Sequence, residues 1–235
     1  MTGKTHKTGG MLCSLIGFAL LHENGLLNPD VNEAVQLLIM YPFCMWGSIA
    51  PDLDHHWDSC PSKSYPDFVV NKALHITKPL VDVCEKVGTS KKNVFYKLFR
   101  GLNAKHRSWQ THSDLTLGLS LFGLFSLLTI ENPTINTTIL SLVVTGLLIG
   151  VTAHFILDLI TPEGIKLFLI SLINGVFGTK IPDSLHLVPN VSFFATGGKW
   201  ESLICKLLQI ATVVGLLWVV YLILIPYLPF QITFS

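Results

Sequence analysis

The sequence is short of charge. Only 13% of its 235 residues are Asp, Glu, Lys or Arg, whereas roughly 25% is usual, and 50% are hydrophobic. The net charge of +1 gives no general argument for a nucleic-acid partner. The five cysteines form no CxxC pair and no regular framework, which indicates reduced thiols. No small-residue cleavage site follows the first apolar stretch, so a secretory signal is not expected.

What the sequence has instead is long apolar segments, which predict an all-α, polytopic helical membrane protein. Spanning a bilayer takes roughly 20 apolar residues. The last two segments reach that length and the first three are shorter. The segments are residues 8–21, 35–50, 115–130, 137–160 and 207–225. A further stretch, residues 164–178, is too short to span and is expected to lie in the interface or to re-enter.

Lysine and arginine occur only in alternate connections. Two precede the first apolar segment, ten lie between the second and third, and four lie between the fourth and fifth. The positive-inside rule predicts this alternation for five crossings with the N-terminus in the cytoplasm. Residues 1–235 are therefore predicted to form one membrane-embedded domain. Residues 51–114 are predicted to be a cytoplasmic helical loop between the second and third helices.

Histidines and acids gather beside the apolar segments, all on the predicted cytoplasmic side. His154 and Asp158 are four residues apart, so they share one helix face and can bind one metal ion. The candidate metal ligands are His6, Asp52, Asp54, His55, His106, His112, His154 and Asp158. Ligands of this kind without cysteine suit zinc, with manganese or iron as alternatives, and the set is large enough for two or three ions.

Each cluster alone has a simpler interpretation. The stretch PDLDHHWD, residues 51–58, also suits an Asp-rich turn. His154 and Asp158 also suit a hydrogen-bonded pair that locks the fourth helix to its neighbours. Ser113, after His112, suits an N-cap of the third helix. The convergence of four clusters on one predicted membrane face favours a metal site.

The same residues resemble a known family, the membrane-bound metal-dependent hydrolases described as LexA-regulated inner-membrane proteins (YdjM-like). The matching elements are His6, GSIAPDLDH (47–55), HRSWQTHS (106–113) and HFILDLITPEG (154–164). The third is one residue longer than the family pattern. TGGKWE (196–201) resembles a late family signature, which makes Glu201 a candidate. The resemblance implies a hydrolase of bacterial or phage origin in the inner membrane.

A more distant likeness is to zinc-dependent phospholipase C and the single-strand-specific nucleases. These enzymes cleave phosphodiesters at a trinuclear zinc site made of His and Asp. The likeness rests on ligand order and favours a phosphoester substrate.

We therefore predict a metal-dependent hydrolase at the cytoplasmic membrane face. Asp52 is a candidate base that orients water, with Asp54 as the alternative, and Arg107 is a candidate for stabilising anionic charge in the transition state. A site at headgroup level suggests a lipid phosphodiester or another amphiphile as substrate, with the bilayer as partner. Nucleic acid is not expected, because topology explains the basic loop equally well. The alternative is a non-enzymatic membrane protein whose metal serves structure, transport or sensing.

Overall fold

A computed structural model describes residues 3–54, 112–129, 135–162, 164–187 and 197–227. This part of the chain is mostly helical, which confirms the all-α prediction. Its α-helices are α1 (Gly3–Glu23), α2 (Glu33–Gly47), α3 (Asp114–Leu128), α4 (Ile135–Leu159), α5 (Phe168–Phe177) and α6 (Lys199–Leu224). Short 3-10 helices cover Ala50–Asp54 and Ile225–Tyr227, and an antiparallel pair is formed by β1 (Ile165–Lys166) and β2 (Ser184–Leu185).

Side-chain caps mark the starts of α2 and α3. The side chain of Asn32 accepts a hydrogen bond from the backbone N–H of Ala34. Ser113 does the same for Thr116 at 3.3 Å, which confirms the predicted N-cap of the third apolar helix. Because α3 begins only at Asp114, His112 lies just outside the helix and depends on its neighbours for its position.

The centre of the molecule is a packed trio of helices. Helices α1, α2 and α4 contact one another, while α3 packs on α4 and α6 packs on α1. A buried cluster joins α1 to α2 and α6, formed by Leu15, Phe18, Ala19, Leu21, Met40 and Val219. Glycines let α2 and α4 approach closely, since a Cβ at Gly150 would overlap the carbonyl oxygen of Cys44. This close approach brings the end of α2 against the last turns of α4.

Among the described residues, three helical segments are long and apolar enough to cross a membrane. They are Glu33–Asp52, Thr137–Leu159 and Lys199–Tyr227, and Asp114–Leu127 is apolar but shorter. In the last span only 11% of the most apolar 18-residue stretch is buried, so most of that stretch is exposed and available to lipid. The predicted count of five crossings stays a prediction. Most of the predicted loop 51–114 lies outside the described residues.

The chain direction alternates so that four helix ends meet. The start of α1, the end of α2, the start of α3 and the end of α4 lie at one end of the helical bundle, as contacts among His6, Asp52, His112 and Asp158 show. At this end a segment, Gly164–Leu187, leaves α4 and contains β1, α5 and β2. Helix α5 has ten residues, too few to span, as the sequence predicts.

Candidate metal centre

The end of α4 carries two fully buried polar side chains. His154 and Asp158 lie one turn apart, with Nε2 of His154 3.2 Å from Oδ2 of Asp158. Their side chains are 0% and 1% exposed. Burying an ionisable pair this completely is costly unless its polar atoms are satisfied. The groups around the pair therefore decide what it can do.

Ser48, at the end of α2, orients the ring of His154. Nδ1 of His154 is 2.7 Å from the carbonyl oxygen of Ser48. Because a carbonyl oxygen only accepts, Nδ1 carries the proton and donates, and the lone pair of the neutral ring is on Nε2. Histidines that bind metals almost always donate their other ring N–H in this way, often to a backbone carbonyl. His154 thus presents its lone pair to the cluster.

His112 reaches the same point from the start of α3. Its Nε2 is 3.2 Å from Nε2 of His154 and 3.7 Å from Oδ2 of Asp158, and its side chain is 1% exposed. The backbone N–H of Lys166, in β1, donates to the carbonyl oxygen of His112 at 2.8 Å. A second histidine is therefore held beside the α4 pair by residues of the segment that follows α4.

Asp52 comes from the 3-10 helix that follows α2. Its Oδ1 is 3.3 Å from Nε2 of His112 and 3.8 Å from Nε2 of His154. The side chain is 22% exposed, which makes Asp52 the accessible member of an otherwise buried group. A solvent molecule or a substrate would therefore meet Asp52 first.

The separations of these ligand atoms fit a metal ion held by His112, His154 and Asp158, whose ligand atoms all lie within 4.8 Å of one another. Each distance given above, from Nε2 of His112 and His154 to each other and to the two carboxylates, lies between 3.2 and 3.8 Å. A tetrahedral zinc ion with bonds of about 2.0–2.1 Å places neighbouring ligands roughly 3.3–3.4 Å apart. Two imidazoles and a carboxylate at such spacing match ligands that zinc commonly takes, and Asp52 belongs to a second group of three with His6 and His154.

The charges of these atoms lead to the same conclusion. In the tautomer set by Ser48, Nε2 of a neutral His154 is an acceptor, and so is Oδ2 of ionised Asp158. Two acceptors 3.2 Å apart repel unless a positive charge lies between them. A metal ion between them would supply that charge, and a proton shared by the two residues or an N–H donated by His112 is the alternative.

His6, on α1, joins the cluster from the side of His154. Its ring stacks on that of His154, with centroids 3.8 Å apart and planes inclined by 14°. Its Nε2 is 3.5 Å from Oδ1 of Asp158, and its side chain is 0% exposed. Neither ring nitrogen of His6 has a hydrogen-bond partner within the described residues. Asp158 thus turns one oxygen to His6 and the other to His112 and His154.

The structure brings five of the eight sequence-predicted ligands together. They are His6, Asp52, His112, His154 and Asp158. Asp54 is the last residue of the 3-10 helix, and the structure does not describe its side chain. His55, His106 and Arg107 lie outside the described residues, so the roles assigned to them stay predictions.

Glu201, suggested by the family resemblance, lies beside the cluster. It is 2% exposed at the start of α6, and its Oε1 accepts a hydrogen bond from the hydroxyl of Thr5 at 2.7 Å. Its Oε2 accepts from the backbone N–H of Gly197. Because Thr5 precedes His6, Glu201 ties the start of α6 to the turn of α1 that carries a cluster residue.

Sequence reasoning missed Ser48 and Thr5. Ser48 acts through its backbone carbonyl, which every residue has, so no residue type could mark it. Thr5 lies next to His6, and its hydroxyl gains meaning only from Glu201, 196 residues away. Neither had a local signal that distinguished it from other small polar residues.

Residues 1–232 of the chain match the family described as YdjM inner membrane protein. The match covers nearly the whole chain, so the protein belongs to that family and is a membrane protein. No curated protein and no solved structure matches it. The likeness to phospholipase C and the nucleases stays a prediction.

Proposed function

We propose that this YdjM-family protein is a membrane-bound, metal-dependent hydrolase that cleaves phosphoester bonds in lipid-like substrates. The observation that carries the proposal is the buried group of His112, His154 and Asp158, whose ligand atoms lie within 4.8 Å of one another, with His154 held in the ligating tautomer by Ser48. Zinc is the preferred ion because the set combines imidazole and carboxylate without thiolate. Manganese and iron are the alternatives.

His112, His154 and Asp158 would hold the first ion. His6 faces the second oxygen of Asp158, so His6 and Asp158 would help to hold a second ion. A bound divalent ion lowers the pKa of its water towards about 7 and polarises the scissile group. Asp52, the more exposed carboxylate, would orient the attacking water and accept its proton. Arg107 is assigned to the anionic charge of the phosphoester.

The proposed active face is cytoplasmic. Among the helix ends that form the cluster, the start of α1 carries Lys4 and Lys7, and the sequence between the end of α2 and the start of α3 holds ten basic residues. Basic residues are retained on the cytoplasmic side of inner-membrane proteins. The cluster lies at the end of a candidate spanning helix, Thr137–Leu159, which supports a substrate whose phosphate is at headgroup depth.

Metal content tests the proposal first. We would measure metals by elemental analysis in the detergent-purified protein and in His154→Ala, beside His22→Ala as a matched control at the opposite end of α1. We expect at least one equivalent of zinc in the wild type and in His22→Ala, and its loss in His154→Ala. A folded wild type that stays free of metal after zinc, manganese and iron are supplied would overturn the proposal.

Activity is tested on phospholipid vesicles and on a soluble phosphodiester. Hydrolysis that needs the metal and disappears in His154→Ala is the expected result. A metal-loaded protein that cleaves neither substrate class would contradict the phosphoester assignment while leaving the metal site intact.

One observation favours a non-enzymatic alternative. Four protein atoms can close the coordination shell of a tetrahedral ion, and closed shells are typical of structural zinc. Asp52→Asn separates the two functions. In a hydrolase we expect the buried ligands to keep the metal while hydrolysis falls by about 100-fold or more. In a structural site the variant would instead lose metal and stability together.

A further inference from the structure

The segment Gly164–Leu187 is attached to the backbone beside His112. The N–H of Lys166 donates to the carbonyl oxygen of His112 at 2.8 Å, and residues Ser113 and Lys166 form a parallel bridge. The N–H of Phe168, the first residue of α5, donates to Oδ1 of Asp114 at 2.7 Å. These contacts hold residues 112–114, which lie immediately before and at the first residue of α3. The segment thus helps to fix the position of His112.

The same segment is internally braced. Nζ of Lys166 is 3.0 Å from Oδ1 of Asp183, and the hydroxyl of Ser171 donates to Oδ2 of Asp183 at 2.8 Å. These bonds tie β1, α5 and the approach to β2 into one unit. At its end, the N–H of Leu187 donates to the carbonyl oxygen of Leu159 at 2.8 Å. A displacement of α5 would therefore be transmitted to both α4 and His112.

The outer surface of this unit is apolar. Leu169 and Phe177 of α5 are 62% and 76% exposed, and their eight-residue separation leaves them about 80° apart around the helix, within one broad apolar side. Ile181, Leu185 and Leu187 extend the exposed apolar surface. Ser171, which faces Asp183, is 2% exposed, so α5 has one polar inner side and an apolar outer side.

The position of the unit identifies what covers this surface. It is attached at Leu159, where the candidate span Thr137–Leu159 ends, so it lies at the depth of the lipid headgroups. Lys180 is exposed, and the part of the chain that the structure describes gives it no ion-pair partner. An amphipathic helix with an apolar face, followed by an exposed lysine, is typical of segments that lie in the membrane interface and are attracted to anionic lipid.

We propose that Gly164–Leu187 is a membrane-docked clamp: α5 inserts its apolar side into the headgroup region of an anionic bilayer and thereby holds His112 in the metal cluster. The coupling to metal rests on the proposed function, whereas the docking does not. Lipid contact then sets how firmly the site binds its ion. Partners that position a ligating histidine typically change metal affinity by about 10- to 100-fold.

Docking is tested by photo-crosslinking in nanodiscs that contain phosphatidylcholine with or without phosphatidylglycerol. A benzophenone amino acid replaces Phe177, with Leu217 on the lipid-exposed α6 as positive control and the buried Phe18 as negative control. We expect lipid adducts, detected by mass spectrometry, at positions 177 and 217 but not at 18, with more adduct at 177 when the anionic lipid is present. Adducts at 217 without any at 177 would overturn the clamp.

Coupling is tested by chelator competition in the same nanodiscs. We expect the double variant Leu169→Ser/Phe177→Ser to bind zinc about tenfold more weakly than the wild type. Leu217→Ser, which exposes a comparable polar group on α6, should stay within about twofold. Equal affinity in all three proteins would overturn the coupling and leave the metal proposal standing. A wild type that binds no zinc would overturn the coupling together with the proposed function, and the crosslinking result would still decide the docking.

Discussion

Asp158 is the residue on which the cluster depends most, because each of its oxygens faces a different histidine. Oδ2 is 3.2 Å from Nε2 of His154 and Oδ1 is 3.5 Å from Nε2 of His6. Asp158→Asn keeps the shape but removes the negative charge. We expect at least a tenfold loss of zinc affinity, measured by chelator competition. Asp30→Asn, which alters an exposed carboxylate at the opposite end of the bundle, serves as control, and equal affinities in the two variants would contradict the assignment.

Glu201 is also considered as a single residue, and its contact with the cluster is indirect, through the hydrogen bond to Thr5. Glu201→Gln keeps an oxygen for one donor but offers an amide N–H where the second donor, the Thr5 hydroxyl or the Gly197 N–H, needs an acceptor. A buried donor left without its acceptor costs about 1–3 kcal/mol. We expect a lower free energy of unfolding in detergent, with metal still bound at saturating zinc. An unchanged unfolding transition would show that the contact carries no stability.

Side-chain types could be predicted at this scale, and backbone partners could not. His154 and Asp158 were found because two ionisable residues at positions i and i+4 near the end of an apolar helix cost free energy to bury, and such residues are usually functional. His6 had no such neighbour, and its place before the first apolar segment together with the family resemblance made it a candidate. The carbonyl of Ser48 became visible only once α2 and α4 were placed together, since it depends on the distance between two helices.

At the scale of elements, the contact between α2 and α4 positions the site. A Cβ at Gly150 would overlap the carbonyl oxygen of Cys44, one turn before Ser48. We expect Gly150→Ala to force the helices apart at a cost of about 1–3 kcal/mol and to weaken zinc binding through Ser48. Gly118→Ala on α3 is the matched control, because a Cβ there meets nothing within 4 Å. It should be neutral or stabilising by up to about 1 kcal/mol. Similar unfolding of both variants would refute the close-contact explanation.

The bonds from Lys166 and Ser171 to Asp183, which brace α5, make the stability of the fold depend on pH. Burial alone would raise the pKa of Asp183, but hydrogen bonds from Ser171 and Lys166, with the charge of Lys166, outweigh it and lower the pKa below its ordinary value of 3.8. Because the folded pKa is the lower one, the stabilisation is present above pH 3.8 and is lost as the pH falls through the folded pKa.

Thermal unfolding in detergent between pH 6 and pH 2.5 measures this contribution. The midpoint of the wild type should fall more steeply below about pH 4 than that of Asp183→Asn, which has no carboxylate to protonate. The difference is expected to be small, since the ion pair with Lys166 is partly exposed. Parallel curves would show that the brace contributes nothing to stability.

At the scale of elements the sequence predicted the apolar helices better than their connections. Hydropathy located α2, α4 and α6, because a run of apolar residues is a local property. The strands β1 and β2 have two residues each, too few to show the alternating hydrophobic pattern that predicts a strand. Its register depends on the ion pair of Lys166 with Asp183 and on the attachment to His112, which are contacts between distant parts of the chain.

For the whole molecule, the alternation of basic residues predicts which end of the helical bundle faces the cytoplasm. The cluster end carries Lys180 in the segment after α4, and the opposite end carries Asp30 in the connection between α1 and α2, both exposed. Five crossings with a cytoplasmic N-terminus place these two residues on opposite sides of the membrane. The structure shows which helix ends lie together, and the distribution of basic residues predicts which side of the membrane they face.

Cysteine labelling in cells tests this orientation, in a background where the native cysteines are replaced by serine or alanine. We expect a membrane-impermeant maleimide to label Asp30→Cys in spheroplasts with an intact inner membrane, and to label Lys180→Cys only after that membrane is permeabilised. The reverse pattern would place the metal cluster on the outer side and remove cytoplasmic substrates from consideration. Labelling of both positions in intact spheroplasts would contradict the arrangement of crossings itself, because the two residues would then share one face.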